Sequence, residues 1–147
     1  MIIEEKSFEK ARTKIKNSKD KKIIFTSPYD ELNRKILEKE DIKTLLIRQK
    51  GRKDFSKQRN SGLDSVMSRI AKKKEVSIGI FLDEILNSSG KEKVQILGRI
   101  RQNIALCSKN KIKMEFISFD PKNERNYHDL KALGLVLGMP TWMTKNL

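Results

Sequence analysis

Four short apolar runs recur along the chain and have the composition of buried strands. Each run is rich in β-branched or aromatic residues and is bounded by polar or turn residues, which is typical of a strand inside a domain. The runs are KIIFT (22–26), IKTLLIR (42–48), VSIGIFL (76–82) and KMEFISF (113–119). The pattern therefore predicts four strands.

Two helix starts lie between these runs. Ser27-Pro28-Tyr29-Asp30 offers an N-cap, a proline at the first helical position and an acid three residues after the cap, so it predicts a helix that begins at Ser27. Ser61-Gly62-Leu63-Asp64 offers a second capping pattern, and an apolar stripe continues from Leu63 to Ala71. Each start predicts an amphipathic helix.

Three further helical segments complete the alternation. A weak amphipathic pattern at 8–15 indicates an N-terminal helical segment within residues 1–20, a long helix is expected over 91–110, and a last helix over 127–137. On the long helix we expect one group of side chains to face the core and another to lie away from it. The first group is Val94, Leu97, Ile100, Ile104 and Cys107, and the second is Lys93, Arg99, Arg101 and Gln102.

This alternation predicts a single α/β domain over residues 1–147, with parallel strands joined by helical crossovers. Four strands are too few to close an eight-stranded barrel of about 250 residues. The expected fold is therefore an open parallel sheet or a partial barrel, whose ligands would bind at the carboxyl ends of the strands.

The distribution of charge indicates a polyanionic partner. The formal net charge is +14, and residues 43–74 alone hold 11 Lys and Arg against two acidic residues. Self-repulsion in such a segment is relieved when a polyanion neutralises it. A membrane surface is the weaker alternative, because no segment joins the basic run to an apolar anchoring face. The N-terminus lacks the apolar run of a signal peptide, so a cytoplasmic location is expected.

The most basic connection is the loop RQKGRKDFSKQRN (48–60), which follows the second predicted strand and leads to the Ser61 helix start. Free backbone N–H groups at a helix start favour an anion, so Arg59 and the amides around Gly62 could hold a backbone phosphate together. The alternative is that the cap satisfies its own amides and the loop is merely solvated. Phe55 is the one aromatic residue in the loop, which favours phosphate contact over base stacking.

Candidates for catalysis are few. His128 is the only histidine, and Cys107 lies on an apolar helix stripe as a buried small hydrophobe would. Asp83, Glu84 and Asp120 follow the third and fourth strands, and carboxylates at neighbouring strand ends can bind Mg²⁺. The same acids also fit a helix start and a turn. We expect no catalytic residue, metal site or cofactor in this chain.

Several stretches resemble a known family, archaeal ribonuclease P protein component 3. They are NRKILEKEDIKTLLI (33–47), RNSGLDSVMSRIAKKKEVSIGIFLDEIL (59–86), RIRQNIALCSKNKIKMEFIS (99–118) and DLKALGLVLGMP (129–140), in a resemblance that spans about residues 22–140. Two features depart from the family. Its members usually carry further strand-helix units before the first strand found here, and the related metal-dependent phosphoesterases use several His and Asp ligands.

The resemblance implies a partial TIM-barrel-like fold, related to metal-dependent phosphoesterases but without a catalytic site. It implies a subunit of ribonuclease P, the endoribonuclease that removes the 5′ leader from precursor tRNA, in which the RNA with Mg²⁺ performs the cleavage. The implied partners are the ribonuclease P RNA, protein component 2 and the other ribonuclease P proteins, with precursor tRNA reached indirectly.

On this basis the loop and the helix start would dock on the ribonuclease P RNA, with two arginines of the long helix nearby. The candidate RNA-binding residues are Arg48, Lys50, Arg52, Lys53, Lys57, Arg59, Asn60, Ser61, Gly62, Arg99 and Arg101. Two alternatives remain open. A metal-dependent nuclease acting alone would lose activity when Asp83, Glu84 or Asp120 is changed, whereas a scaffold for an acidic protein partner would show no affinity for RNA.

Overall fold

Five parallel strands form one sheet in the computed structural model, which describes residues 1–147. The strands are β1 (Ile2–Glu4), β2 (Ile24–Thr26), β3 (Thr44–Ile47), β4 (Ser77–Phe81) and β5 (Met114–Ile117). The helices are α1 (Phe8–Asn17), α2 (Asp30–Lys39), α3 (Ser65–Lys74), α4 (Leu82–Asn87), α5 (Gly90–Lys109), α6 (Tyr127–Leu137) and α7 (Thr141–Thr144), and a 3-10 turn covers Pro121–Asn123. None of the helices has the length and apolarity needed to cross a bilayer.

The strand order in the sheet equals the order in the chain, β1-β2-β3-β4-β5, with every neighbouring pair parallel. A doubly wound sheet would reverse direction at a switch point, whereas a barrel adds each strand beside the previous one. The predicted α/β fold is therefore confirmed, and its strand order is that of a partial TIM-like barrel.

The core lies between one face of the sheet and the helices. Alternate strand residues such as Phe25, Leu45 and Ile78 are fully buried in one apolar cluster with residues from α1, α2, α3, α5 and α6. The intervening residues point to the other face, where Leu46 and Ile117 are buried outside that cluster. Helices thus cover one face of the sheet, as on the outside of a barrel.

The N-terminal segment holds a strand that the sequence did not predict. Ile2 and Ile3 pair with Ile24 and Phe25, and the terminal amine donates to Asp20 Oδ2 at 2.8 Å. The expectation of a purely helical segment before the first strand was therefore wrong. Three residues are too short for a periodic signal, and their pairing depends on a neighbour about 22 residues away in the chain.

Both predicted helix starts are displaced. α2 begins at Asp30, and Ser27 Oγ instead accepts from the Tyr29 amide at 3.2 Å, which makes Ser27-Pro28 a turn before the helix. α3 begins at Ser65, because Asp64 is the N-cap and accepts from the Met67 amide at 2.8 Å. The prediction that Ser61 caps a helix is therefore wrong.

α5 has nearly the predicted bounds, but its buried face is different from the expected one. Ile100, Ile104 and Cys107 are buried as expected, whereas Val94 is 64% exposed. Arg99 is only 2% exposed, so the expectation that it lies away from the core was wrong.

A candidate nucleic-acid interface

The basic loop lies at the carboxyl end of β3, on the edge of the sheet where barrel enzymes build their sites. It extends from Arg48 to Leu63, crosses beside α5 and joins α3 at Ser65. Its shape is set by hydrogen bonds to α2, α4 and α5, and these contacts decide which of its charges face solvent.

Arg99 of α5 holds the loop from beneath. Its Nε donates to Asp54 Oδ1 at 2.9 Å, its Nη1 to the Gln49 carbonyl at 3.0 Å and its Nη2 to the Arg52 carbonyl at 2.7 Å. The side chain is 3% exposed. Arg99 was a candidate RNA-binding residue, but its donors are directed at the protein's own loop and it is not positioned to touch a ligand.

Ser61 is held by the next turn of α5. Its carbonyl accepts from Gln49 Nε2 at 2.8 Å and from Asn103 Nδ2 at 3.0 Å, and its hydroxyl accepts from Gln102 Nε2 at 3.0 Å. Ser61 is 2% exposed. It therefore anchors the end of the loop, and no helix-start amides surround it to receive a phosphate.

Gly62 adopts a left-handed backbone conformation with φ of +76°. A Cβ added there would lie 2.5 Å from Arg52 Nη2 and 2.6 Å from Ile47 Cγ2. Because both the backbone angle and the close approach favour glycine, Gly62 shapes the loop as predicted, but it does so before the helix.

Arg52 and Arg48 form ion pairs with acids of the same chain. Arg52 makes a bidentate pair with Asp30, with both N–O distances at 2.7 Å, and its Nε donates to the Arg48 carbonyl at 2.6 Å. Its side chain is 11% exposed. Arg48 Nη2 bonds Glu4 Oε2 at 3.1 Å, and its guanidinium lies 5.0 Å from the Phe81 ring centroid. Both candidates thus spend most of their donors inside the protein.

Asp54 is the acid inside the basic loop, and it closes the loop on itself. It accepts from Arg99 and from the Asn60 amide at 3.0 Å. The Arg99 hydrogen bond, together with that amide, lowers the pKa of Asp54 below its ordinary value. Arg59 Nη1 lies 3.8 Å from Asp54 Oδ2, and its guanidinium covers Gly98 so closely that a Cβ there would be 2.5 Å from Cζ.

The remaining candidates face solvent. Lys50, Lys53, Lys57 and Arg101 are exposed, and Arg59 is exposed over almost half of its side chain. Lys50 and Lys53 border a polar cavity of about 590 Å³, which Asn60 also lines. Arg59 borders a second cavity of about 620 Å³, where Phe55 is exposed. The solvent-facing set of cations is thus smaller than the sequence suggests.

Glu84 lies beneath the loop. Burial raises the pKa of Glu84, while a hydrogen bond of 2.8 Å from the Gln49 amide and the nearby Arg48 and Arg52 oppose that shift. Sequence reasoning gave Glu84 no role in the loop, because its partner is 35 positions away in the chain.

Asp83 has its carboxylate fully engaged. It accepts from Ser118 Oγ at 2.6 Å, the Phe119 amide at 2.9 Å, the Asp120 amide at 3.2 Å and Asn123 Nδ2 at 3.0 Å. Burial raises the pKa of Asp83, but these hydrogen bonds outweigh it and lower the pKa overall. The carboxylate thus orders the connection after β5. No three His, Cys, Asp or Glu side chains lie close enough together to hold a metal ion.

The two remaining candidates for chemistry lie apart from this edge of the sheet. Cys107 is buried, as predicted, and burial raises the pKa of its thiol to about 12. His128 is exposed on α6, with its ring 5.7 Å from that of Tyr127. Neither side chain is placed to assist a reaction at the loop.

Comparisons with known proteins agree with the fold and with the resemblance. No protein-family model matches the chain. Ribonuclease P protein component 3 of Methanocaldococcus jannaschii is 30% identical over 148 residues, which cover 97% of this chain and 61% of that protein. A chain in a cryo-EM structure of archaeal ribonuclease P with mature tRNA superposes with a TM-score of 0.82 at 27% identity, and covers 98% of this chain and 62% of that chain.

The chain therefore spans about three fifths of the length of the relatives it matches. Within that span the agreement includes all five strands and the loop at their carboxyl edge, since the match leaves almost none of the chain out. This protein is a homologue of archaeal ribonuclease P protein component 3 over the part of that protein it spans.

Proposed function

We propose that this chain is a protein subunit of an archaeal-type ribonuclease P. In this role it supports the endonucleolytic removal of the 5′ leader from precursor tRNA by binding the catalytic RNA, which performs the cleavage with Mg²⁺. The observation that carries the proposal is the structural agreement over 98% of the chain with a chain of an archaeal ribonuclease P bound to mature tRNA. We further propose protein component 2 as a direct partner and the cytoplasm as the location.

The solvent-facing cations of the loop are the proposed RNA contacts. They are Lys50, Lys53, Lys57, Arg59 and Arg101. Lysine ammonium groups and an arginine that rests flat on α5 suit contact with phosphates rather than readout of bases. Five such contacts would give a log–log salt slope of roughly −4.5, scaled from about 0.9 per phosphate on duplex DNA.

Arg48, Arg52 and Arg99 have a different proposed role. Their donors are used by Glu4, Asp30 and the loop backbone, so they position the loop for the RNA. Because the loop is ordered before it binds, less conformational entropy is lost on docking.

The nuclease alternative has weaker support. A catalytic metal needs carboxylate oxygens with free lone pairs, and four donors already occupy those of Asp83. Asp120 caps the turn that follows and accepts from the Lys122 amide at 3.0 Å. The geometry therefore favours a structural role for both acids.

The test is precursor-tRNA cleavage by the ribonuclease P RNA and its other proteins, with and without this chain. We expect a faster rate or a lower Mg²⁺ requirement when the chain is added, and loss of that gain in the variant Lys50→Gln/Lys53→Gln/Lys57→Gln. The matched control is Lys10→Gln/Lys91→Gln/Lys131→Gln, which removes the same charge from the outer helices. No gain from the folded wild-type chain would refute the proposal, and cleavage by the chain alone that Asp120→Asn abolishes would support the nuclease.

A further inference from the structure

The fold divides the basic segment of the sequence between opposite ends of the sheet. The loop after β3 lies at the carboxyl edge, whereas α3 returns to the amino edge and places Lys72, Lys73 and Lys74 just before β4. The charge that looks continuous along residues 43–74 therefore belongs to two separate surfaces.

The amino edge carries the larger charge excess. The connections that lead into β2, β3, β4 and β5 (18–23, 40–43, 72–76 and 109–113) hold ten lysines and four acidic residues, whereas the segment 48–64 holds six basic and two acidic residues. Two of the four acids are already paired, Asp20 with the terminal amine and Glu40 with Arg12 at 3.2 Å. Most of the lysines at this edge have no acid to neutralise them.

Four of these lysines surround one pocket. A cavity of about 240 Å³ between the ends of α3 and α5 is lined by Lys43, Lys72, Lys111 and Lys113, and Glu75 is its one acid. Lys72 Nζ donates to the Lys111 carbonyl at 3.1 Å, and the Lys111 ammonium lies 5.5 Å from the Trp142 ring centroid. These contacts hold two of the four side chains at the rim.

The backbone amides around the pocket are already used. The Ser77 amide donates to the Lys43 carbonyl at 3.0 Å, the Ile78 amide to the Lys113 carbonyl at 3.0 Å and the Ile112 amide to the Cys107 carbonyl at 2.9 Å. An anion would therefore be held by ammonium groups alone, which gives contact that depends on salt and is blind to sequence.

A purely structural explanation accounts for part of the cluster. Lysines in the last turn of a helix complement its dipole, and Lys74 of α3 donates to the Leu37 carbonyl at 2.7 Å and the Glu40 carbonyl at 2.6 Å. Lys43 and Lys113 differ because they directly precede strands and make no ion pair or side-chain hydrogen bond. Helix ends do not explain why both lysines border the same cavity.

We propose that Lys43, Lys72, Lys111 and Lys113 bind a backbone phosphate of RNA at the amino edge of the sheet. This inference rests on the proposed function and adds a second RNA contact, at the end of the sheet opposite the basic loop. A five-residue strand such as β4 spans roughly 16 Å at about 3.3 Å per residue. One subunit would thus bridge two separate segments of a folded RNA.

The test is the variant Lys43→Gln/Lys72→Gln/Lys113→Gln, which leaves Lys111 and its Trp142 contact intact. Its control is Lys10→Gln/Lys91→Gln/Lys131→Gln, with the same net charge. Fluorescence anisotropy with labelled ribonuclease P RNA measures affinity across a series of KCl concentrations. We expect the log–log salt slope of the amino-edge variant to be shallower than that of the control by about 2 to 3, from about 0.9 per phosphate lost. Restoration of the slope by the matching Lys→Arg variant would support the assignment.

Equal slopes and affinities for the amino-edge variant and the control would overturn the inference. If the loop variant Lys50→Gln/Lys53→Gln/Lys57→Gln weakens binding in the same series, the proposed function stands and only the second contact fails. If the wild-type chain does not bind the RNA at all, both fail. A variant that keeps RNA affinity but no longer binds a protein subunit would assign the pocket to a protein partner and overturn the inference as well.

Discussion

Replacing Arg99 by methionine tests the claim that a buried cation organises the loop. Methionine keeps the length and the apolar packing of the stem but removes the guanidinium. It leaves Asp54 without its charged partner and the carbonyls of Gln49 and Arg52 without their donors. The matched control is Arg101→Met, two positions away on the same helix, where the side chain is exposed.

The size of the effect follows from burial. Breaking a buried charge pair costs about 3 to 5 kcal/mol, and each buried carbonyl left unpaired adds about 1 kcal/mol or more. Asp54 retains 26% of its exposure and water can solvate it once the pair is broken, which lowers the first figure. We therefore expect Arg99→Met to reduce the free energy of unfolding by about 3 kcal/mol, and Arg101→Met to change it by less than about 0.5 kcal/mol.

Urea denaturation followed by circular dichroism measures both variants, with the slope m as a check that the unfolded state is unchanged. RNA affinity across a salt series separates the two roles further. Arg101→Met should reduce the salt slope by about 0.9 without loss of stability, because it removes one phosphate contact. An Arg99→Met protein that is as stable as wild type would refute the assignment of Arg99 as the residue that holds the loop.

Three further predictions concern the same edge of the sheet. Gly62→Ala should destabilise the protein more than Gly51→Ala by about 1 to 3 kcal/mol in urea denaturation, because both glycines have φ near +77° but only Gly62 has neighbours where a Cβ would lie. Asp30→Asn should cost about 1 kcal/mol by the same method, since it breaks the bidentate pair with Arg52 at a carboxylate that is 41% exposed, and an unchanged denaturation midpoint would contradict this. The lowered pKa of Asp83 gives stability that is present above its ordinary pKa of 3.8 and is lost as the pH falls through the folded-state value, so melting temperatures measured between about pH 6 and pH 2 should fall less steeply in Asp83→Asn than in wild type.

The alternation of strands and helices could be predicted from the sequence because it depends on local patterns. All four apolar runs contain a strand, and α5 and α6 lie almost where the periodicity placed them. The strand that was missed, β1, has three residues, with Ile3 buried between two exposed neighbours. Its stability comes from pairing with β2, which a local pattern does not contain.

The candidate site was harder to predict because charge alone does not indicate direction. Helical spacing assigned Arg99 to solvent, but the loop folds over that face of α5 and turns an outward position into a buried one. Asp64 and Ser61 both fit the pattern of a cap, and the structure selects Asp64 because Ser61 is held by Gln49 and Asn103. Contacts between residues about 40 to 50 positions apart decided these outcomes.

The same contacts change what the net charge of the protein says about binding. A sequence with a net charge of +14 suggests a large electrostatic term, yet Arg48, Arg52 and Arg99 use their donors to order the loop. Cations that are paired inside the protein release few counterions when RNA docks, so they add little to the salt slope. They raise affinity in another way, by fixing the loop in its bound shape before the encounter. We therefore expect the rigidity of the loop and the number of free lysines around it to affect RNA binding independently, the first through affinity at any salt concentration and the second through its dependence on salt.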